Sequence, residues 1–334
     1  MLRTMTWTGH ALRLLDQTKL PTTIDYVDIT DEKQMWDAIQ RLVVRGAPAI
    51  GVAAAFGAYL GVRGVTQNRR SRLSEVCKYL ATSRPTAVNL FWALDRIQRI
   101  AEADDSDQHL LDECIAMLAE DATICRQIGE NGLRLLEELT GSRDVYHVQT
   151  HCNAGALATV AYGTALAPVY VGIEHGCKFK VWADETRPLL QGSRITATEL
   201  VNAGVGVTVL CDNMAASLLR ETRIDAIFVG ADRIAANGDA ANKIGTFGLA
   251  LIARHFNVPF VVLAPTSTID TKLPTGTGIP IEHRHAREVL QPMGLTIAPP
   301  GVNAYNPAFD VTPANLITAI VTERGIHRPP FSFT

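Results

Sequence analysis

The 334-residue chain lacks the features that mark several large classes of protein. It has no basic tract and a formal net charge of only -3, so its composition does not favour nucleic acid or an anionic membrane as a partner. No apolar run is long enough to span a bilayer, and the first residues lack the apolar core and cleavage site of a signal peptide. We therefore expect a cytoplasmic protein that binds neither nucleic acid nor membrane.

The residue patterns of disulfide, nucleotide and metal sites are missing as well. Gly204 and Gly206 precede a predicted strand instead of following it, and no G-x-x-x-x-G-K-[ST] loop occurs. Residues 282–285 (EHRH) lack zinc spacing, and there is no oxygen-rich calcium loop. We therefore predict neither a nucleotide cofactor nor a metal. The six cysteines show no C-x-x-C spacing, which is typical of reduced thiols: Cys77, Cys114, Cys125, Cys152, Cys177 and Cys211.

The first part of the chain has the pattern of a mostly helical domain. Residues 5–28 alternate apolar and polar side chains around Gly9-His10, which predicts a short antiparallel β-meander. Because 334 residues exceed what one hydrophobic core usually covers, we place a domain boundary after residue 128. Apolar residues at helical spacing predict helices over 30–43, 52–62, 71–81, 87–103, 109–126 and 129–139.

After residue 142, short apolar runs alternate with helical segments, as in a parallel sheet with crossover helices. A helix is also predicted from Thr312 to Gly325. The predicted fold class is α/β, with a mostly helical N-terminal domain (1–128) that carries the short antiparallel sheet and a Rossmann-like, doubly wound domain (129–334). The predicted strands are 145–148, 180–183, 205–210, 226–229 and 259–263.

Polar side chains follow all five predicted strands at their C-terminal ends. Packing alone does not explain this pattern, whereas an open parallel sheet places its ligand crevice at that edge. We therefore expect the functional site there. The polar segments are Thr150-His151-Cys152-Asn153, Asp184-Glu185-Thr186-Arg187, Cys211-Asp212-Asn213, Gly230-Ala231-Asp232 and Ala264-Pro265-Thr266.

The stretch GADRIAANGDAANKIGT, residues 230–246, is predicted to be a loop between a strand and a helix. Asp232 directly follows the strand, where burial would raise its pKa and make it a general acid. The competing interpretation is that Asp232 caps the following turn. Asn242 and Lys243 precede the helix, where backbone N–H groups favour an anion. We predict that Asp239 is only a turn residue.

Cys152 lies between a predicted strand and an Ala-rich predicted helix, whose N-terminus would favour a thiolate. Cysteine is also common as a small buried residue, which is the competing interpretation. Arg45 with Gly46 and Ala47, and Arg84 before a Pro-initiated helix, offer anion-binding groups. A single arginine is more often a solvated surface charge.

Gln191, Gly192 and Ser193 offer hydrogen bonds to substrate hydroxyls, although Ser193 is equally compatible with an ordinary helix cap. An acid, a thiol and several anion-binding groups without a metal or redox cofactor describe acid-base chemistry on a small phosphorylated compound. The residues alone therefore predict a sugar-phosphate isomerase or lyase.

Seven blocks, which together extend over nearly the whole chain, resemble the methylthioribose-1-phosphate isomerase family of methionine salvage. That family shares a superfamily with ribose-1,5-bisphosphate isomerases and with the alpha, beta and delta regulatory subunits of a eukaryotic translation-initiation exchange factor. The resemblance implies a small mixed N-terminal domain, a Rossmann-like domain and a homodimer. The blocks are LLDQTKLP, VVRGAPAIG, THCNAGALAT, DETRPLLQGSRITATEL, CDNMAA, GADRIAANGDAANKIGT and YNPAFDVTPANLITAIVTE.

The resemblance implies conversion of 5-methylthioribose 1-phosphate to 5-methylthioribulose 1-phosphate, with Asp232 as proton donor and Cys152 as second catalytic residue. Hydrogen moves from C2 to C1 either as a proton, with Cys152 as base, or as a hydride. A ribose-1,5-bisphosphate isomerase and a non-catalytic regulatory protein are the alternatives. The implied substrate contacts are Arg45, Gly46, Ala47, Arg84, Gln191, Asn242 and Lys243.

Overall fold

The computed structural model describes residues 1–84 and 88–333, which form two compact units. The first unit comprises Met1–Cys125 with Ala156–Gly163, and the second comprises Arg126–Gly155 with the residues from Thr164 onward. This division falls inside one helix, and the domain boundary after residue 128 stays a prediction. None of the described helices combines the length and the apolar character needed to cross a membrane.

The first unit begins with an antiparallel three-stranded meander, as predicted: β1 (Met5–Trp7), β2 (Leu12–Leu15) and β3 (Tyr26–Ile29). The helices described after it are α1 (Glu32–Gln40), α2 (Ala47–Leu60), α3 (Arg69–Ala81), α4 (Val88–Ala103) and α5 (Asp107–Thr140). Ala and Gly dominate the buried helix α2. Small side chains allow close approach to α4, since a Cβ on Gly51 would lie 2.8 Å from the carbonyl oxygen of Asn89.

Two helices differ from the prediction. α2 begins at Ala47 instead of residue 52, because Pro48 fits the first turn, where its missing N–H is not needed. α5 is one helix instead of two, because Gly129 is a site of close packing and not a break: a Cβ there would lie 2.8 Å from the Ala167 carbonyl oxygen. The predicted helix start at Ala87 lies outside the described residues.

The second unit contains two sheets. Its strands are β4 (Tyr146–Thr150), β5 (Phe179–Asp184), β6 (Gly206–Leu210), β7 (Ala226–Val229), β8 (Arg233–Ala235), β9 (Ala240–Lys243), β10 (Phe260–Leu263), β11 (Ile269–Asp270), β12 (Phe309–Thr312), β13 (Ala319–Thr322) and β14 (Gly325–His327). Its helices, after the end of α5, are α6 (Ala167–Glu174), α7 (Ala197–Asn202), α8 (Ala215–Glu221), α9 (Thr246–Phe256) and α10 (Arg287–Leu290).

The larger sheet has the order β14-β13-β10-β7-β4-β5-β6, and only β14 is antiparallel to its neighbour. It contains all five predicted strands, which confirms the α/β, Rossmann-like class. From β4 the chain adds β5 and β6 on one side, and then β7, β10 and β13 on the other. The strand order therefore reverses between β4 and β7, which is where doubly wound sheets bind their ligands.

Two predictions for the second unit are wrong. Thr312 to Gly325 is not a helix, because the β-branched residues Ile320 and Val321 are fully buried in β13, which extends the sheet beside β10. Residues 233–243 are not a loop but the antiparallel hairpin β8–β9. This hairpin belongs to the smaller sheet, whose order is β11-β8-β9-β12.

Candidate active site

The two predicted catalytic residues follow adjacent strands. Thr150 at the end of β4 lies opposite Phe228 of β7 in the parallel register. Cys152 comes two residues after β4, and Asp232 comes three residues after β7. The segments after these strands touch, because a Cβ on Gly230 would lie 2.7 Å from the Cβ of Ala154. Cys152 and Asp232 therefore lie beside the point where the strand order reverses.

Cys152 is half-buried and has a left-handed backbone, with φ 65°. Its N–H donates to Thr186 Oγ1 at 2.8 Å, and its carbonyl oxygen accepts from Thr196 Oγ1 at 2.7 Å. Thr186 is itself left-handed, also with φ 65°. Because this conformation costs about 1–2 kcal/mol for a residue with a Cβ, both residues are held in place by their partners.

The predicted helix N-terminus at Cys152 is wrong. The Ala-rich stretch forms only a 3-10 turn, Ala156–Ala158, and α6 begins at Ala167. Side chains engage the backbone of this stretch instead: Thr4 donates to the Ala156 carbonyl oxygen at 2.7 Å, and Gln17 donates to that of Leu157 at 2.7 Å. The Ala-rich stretch therefore supplies no helix dipole to the Cys152 thiol.

Asn153 continues the network. Its buried amide nitrogen donates to Thr196 Oγ1 at 3.0 Å and to Glu199 Oε1 at 2.6 Å. Thr196 ends a five-residue π-helix, Gly192–Thr196, which starts directly after Gln191. Such short π-helical segments often occur at functional sites. This one connects a predicted substrate residue to the backbone of Cys152.

Asp232 is exposed, so its predicted burial is wrong. Its backbone is fixed, because its N–H donates to the carbonyl oxygen of Ala241 across the hairpin at 2.8 Å. Asp239 at the hairpin turn has the structural contacts of a turn residue. Its carboxylate accepts from the N–H groups of Gly276 and Ala314 at 2.9 and 2.8 Å.

Gln191 and Lys243 line one small pocket, together with the ion pair of Arg284 and Glu288. The amide oxygen of Gln191 is buried, and no described residue donates to it. Lys243 Nζ donates to the Ala308 carbonyl oxygen at 3.1 Å. The pocket thus offers a hydrogen-bond acceptor and a cation to a polar ligand.

The backbone N–H groups at the start of α9, which were predicted to bind an anion, bind a carboxylate of the protein itself. Asp310 accepts from the N–H groups of Gly245 and Phe247 at 2.8 and 3.1 Å. Asn242 is buried, and its amide donates to Thr246 Oγ1 at 3.0 Å. An external anion here would therefore be bound by Lys243 and not by the helix N-terminus.

Four predicted substrate contacts belong to the first unit. Gly46 directly precedes α2, so Ala47 lies in the first turn, where backbone N–H groups have no partner within the helix. The guanidinium of Arg45 donates to Gln17 Oε1 at 3.2 Å. Arg84 is half-buried in the segment after α3. Arg45, Gly46 and Ala47 thus combine a cation with a helix N-terminus.

Gly46→Ala is expected to destabilise the protein more than Gly64→Ala. Both glycines have positive φ, 89° and 77°, so both substitutions cost about 1–2 kcal/mol of backbone strain. Only at Gly46 would the new Cβ overlap the backbone of Ala158, which adds about 1–3 kcal/mol. Thermal unfolding of the two variants measures the difference. Equal losses would show that the contact with Ala158 is not tight.

In the sequence His151 is notable only as a neighbour of Cys152, but in the structure it is the centre of a buried network. Its Nδ1 lies 3.0 Å from Asp184 Oδ2, and its Nε2 lies 2.9 Å from the Ile244 carbonyl oxygen. Asp212 is 4.0 Å from Nδ1 and accepts from the N–H groups of Thr186 and Arg187. In the sequence, the one sign of this cluster is that its residues lie in polar segments at the ends of predicted strands.

Burial acts to lower the pKa of His151, but the hydrogen bond and charge of Asp184, together with the charge of Asp212, outweigh it and raise the pKa. One atom each of His151, Asp184 and Asp212 lie within 4.8 Å of one another, as metal ligands do. Both ring nitrogens already face protein acceptors, however, and Asp212 accepts two N–H groups. The geometry is that of an ion-pair network.

The fold and these residues define a Rossmann-like enzyme with a thiol and a carboxyl where the strand order reverses. The chain belongs to the initiation factor 2 subunit family, whose model it matches over residues 43–329. It is 53% identical over 335 residues to the methylthioribose-1-phosphate isomerase of Symbiobacterium thermophilum, covering 97% of this chain and 92% of that protein.

Two further comparisons agree. The chain is 52% identical over 336 residues to the 5-deoxyribose 1-phosphate isomerase of Bacillus thuringiensis, covering 98% of this chain and 95% of that protein. The crystal structure of 5-methylthioribose 1-phosphate isomerase from Pyrococcus horikoshii OT3 matches with a TM-score of 0.92 at 40% identity, covering 99% and 94% of the two chains. The predicted resemblance and the prediction of an isomerase are confirmed.

Proposed function

We propose that the protein converts 5-methylthioribose 1-phosphate to 5-methylthioribulose 1-phosphate, a step of methionine salvage. The observation that carries this proposal is the position of Cys152 and Asp232 after adjacent strands, where the strand order reverses. Relatives more than half identical to the chain and named as isomerases of pentose 1-phosphates support the substrate class.

The phosphate on C1 prevents the sugar ring from opening by simple hemiacetal chemistry, so an acid has to assist. Asp232 supplies this acid: its carboxyl gives a proton to the ring oxygen while the bond between that oxygen and C1 breaks. A hydrogen moves from C2 to C1, the hydroxyl on C2 loses its proton to become the carbonyl, and a proton returns to Asp232. Product and substrate thus contain the same atoms.

The substrate contacts are assigned by the chemistry of each residue. Gln191 accepts a hydrogen bond from a sugar hydroxyl through its buried amide oxygen. Arg45 and Arg84 are assigned as cations for the phosphate, with the backbone of Gly46 and Ala47 at the start of α2. Lys243 is assigned as a cation in the pocket that it lines with Gln191. Asn242, whose amide donates to Thr246, holds the backbone beside Lys243.

An assay with three sugar phosphates tests the function. We expect ketose phosphate to form from 5-methylthioribose 1-phosphate and from 5-deoxyribose 1-phosphate, as followed by ¹H and ³¹P NMR. Ribose 1,5-bisphosphate is expected to react at least about tenfold less efficiently, because its second phosphate would need a further cation site. Turnover of the bisphosphate alone would instead support a ribose-1,5-bisphosphate isomerase.

Deuterium on C2 of the substrate separates the two routes of hydrogen transfer. A direct hydride shift retains the label on C1 of the product, whereas a proton carried by Cys152 exchanges with water unless the base is shielded. Substantial loss of deuterium to solvent therefore excludes the hydride shift. Mass spectrometry of the product after a single turnover measures the retained fraction.

A regulatory protein without catalysis is the second candidate, because the matching family is named after initiation factor 2 subunits. Folded protein that turns over none of the three sugar phosphates would favour it. The presence of both Cys152 and Asp232 in the chain favours the enzyme.

We also propose a cytoplasmic homodimer. None of the described cysteines is joined in a disulfide, which fits a reducing compartment. Light scattering of the purified protein measures its mass directly, and a monomeric mass at micromolar concentration would contradict the dimer.

A further inference from the structure

The buried ring of His151 has no role in the steps above, although charged groups surround it. Three carboxylates face it from three elements of the second unit. Asp184 ends β5, Asp212 follows β6, and Asp310 of β12 is close enough for the ring charge to affect its titration. The ring is only 1% exposed.

Both ring nitrogens of His151 face oxygen atoms that act as hydrogen-bond acceptors. The Ile244 carbonyl oxygen accepts only, and Asp184 also accepts from the Gln149 amide at 2.8 Å. A neutral imidazole carries one N–H and would leave one of these buried contacts unmade. The Ile244 carbonyl oxygen and the three carboxylates together favour the imidazolium form, although burial raises the pKa of Asp184 as well.

The chain makes room for this ring at Gly245. A Cβ on Gly245 would lie 2.9 Å from Cε1 and 3.1 Å from Nε2 of His151, and the glycine has φ 102°. The ring therefore touches the connection between Lys243 and α9 directly. A side chain at this position would block that contact.

The network also reaches the strained backbone of Cys152, which directly follows His151. Thr186 Oγ1 accepts from the Cys152 N–H and donates to the Asp184 carbonyl oxygen at 3.0 Å. Asp184 thus holds the His151 ring with its side chain and Thr186 with its backbone. Cys152 and Thr186, the two left-handed residues, are therefore both linked to Asp184, which pairs with the His151 ring.

We propose that His151, held as an imidazolium, is a positioning residue that fixes Cys152 in its left-handed conformation and ties it to the segment carrying Lys243. This inference rests on the proposed function only where it gives Cys152 a part in catalysis. With both N–H groups engaged by the protein, His151 acts through its neighbours and not by touching the sugar.

The stability that the His151 ion pair gives to the fold is expected to decrease as the pH rises. Because the pKa of His151 is raised, its ion pair stabilises the fold fully below the ordinary histidine value of about 6.5. That stabilisation is lost as the pH rises through the raised pKa. Cys152 is expected to lose its left-handed conformation over the same pH range.

The protonation state of the ring can be measured without any activity. In protein labelled with ¹⁵N-histidine, we expect both ring nitrogens of His151 to carry protons at about pH 7.5, with the signals assigned by their loss in His151→Gln. A wild-type ring with one unprotonated nitrogen at that pH would overturn the proposal.

Asp184→Asn removes one charge while keeping the hydrogen bonds. The new amide oxygen can accept from His151. The new amide nitrogen can donate to Gln149 Oε1 once the Gln149 amide is flipped, and no described residue donates to that oxygen in the wild type. We expect this variant to lose one ring proton at about pH 7.5. Asp225→Asn is the matched control, because Asp225 is a buried carboxylate before β7, at the opposite end of the sheet.

The position of Cys152 is followed by its alkylation with iodoacetamide, with the half-buried Cys177 as internal reference. Releasing the strained backbone is expected to change the ratio of Cys152 to Cys177 labelling at least about fivefold in Asp184→Asn. In Asp225→Asn the ratio should stay near that of wild type. An unchanged ratio in Asp184→Asn would overturn the positioning role.

Activity supplies a third readout. We expect the alkaline limb of the pH profile of kcat/KM to move to lower pH in Asp184→Asn and to stay in place in Asp225→Asn. An identical limb in all three proteins would contradict the proposal. If wild type converts no sugar phosphate, the proposed function fails, while ring protonation and alkylation still decide the role of His151.

Discussion

Asp232→Asn is expected to reduce turnover by about 10²- to 10⁴-fold, which is the usual contribution of a positioned general acid. The amide has nearly the same shape as the carboxyl but has no acidic proton for the ring oxygen. Because Asp232 is exposed and its backbone N–H, which the substitution keeps, bonds across the hairpin, the variant should fold and bind substrate normally. Steady-state kinetics and a binding titration measure the two effects.

Asp239→Asn is the matched control for this prediction. Asp239 lies in the same hairpin, but its carboxylate holds the backbone N–H groups of Gly276 and Ala314. Its replacement should cost about 1–2 kcal/mol of stability and leave kcat nearly unchanged. Near-normal turnover in Asp232→Asn would show that the acid is another residue.

Cys152→Ala is expected to lower kcat by about 10²- to 10⁴-fold if the thiolate is the base that moves the proton. Cys152→Ser then separates the two possible roles. A serine hydroxyl is far less acidic than a thiol, so it cannot replace a thiolate base near neutral pH. If Cys152 only shapes the environment of a hydride shift, the serine variant should retain much more activity than the alanine variant.

Cys211→Ser is the control for Cys152, because Cys211 is an exposed cysteine that follows the end of β6. We expect this variant to keep wild-type activity. Circular dichroism and thermal unfolding establish that all three cysteine variants are folded. Wild-type activity in Cys152→Ala would remove Cys152 from the reaction by either route.

The strands of the larger sheet were predictable because each buried parallel strand is a short apolar run bounded by polar residues. This pattern located the strands that became β4, β5, β6, β7 and β10. The pattern failed for Thr312 to Gly325, where a capping Thr, a Pro and a closing Gly imitate a helix. There, burial of Ile320 and Val321 beside β10 outweighed the local signals.

The surroundings of the predicted site residues were less predictable than the strands. The expected helix after Cys152 is missing because Thr4 and Gln17, far away in sequence, bond to the backbone of the Ala-rich stretch. The expected burial of Asp232 failed because composition does not distinguish the start of an exposed hairpin from a buried loop. The role of His151 depends on acceptors 33 and 93 residues away along the chain.

Local residue patterns were enough to predict the α/β class and the family, because periodicity and short motifs are carried by neighbouring residues. The folded chain was needed to show which strand ends are adjacent, how Cys152 is held in a left-handed conformation, and which carboxylates surround His151. Each of these depends on contacts between residues distant in the chain. A single sequence does not reveal such contacts, because its local pattern is the same whether or not they form.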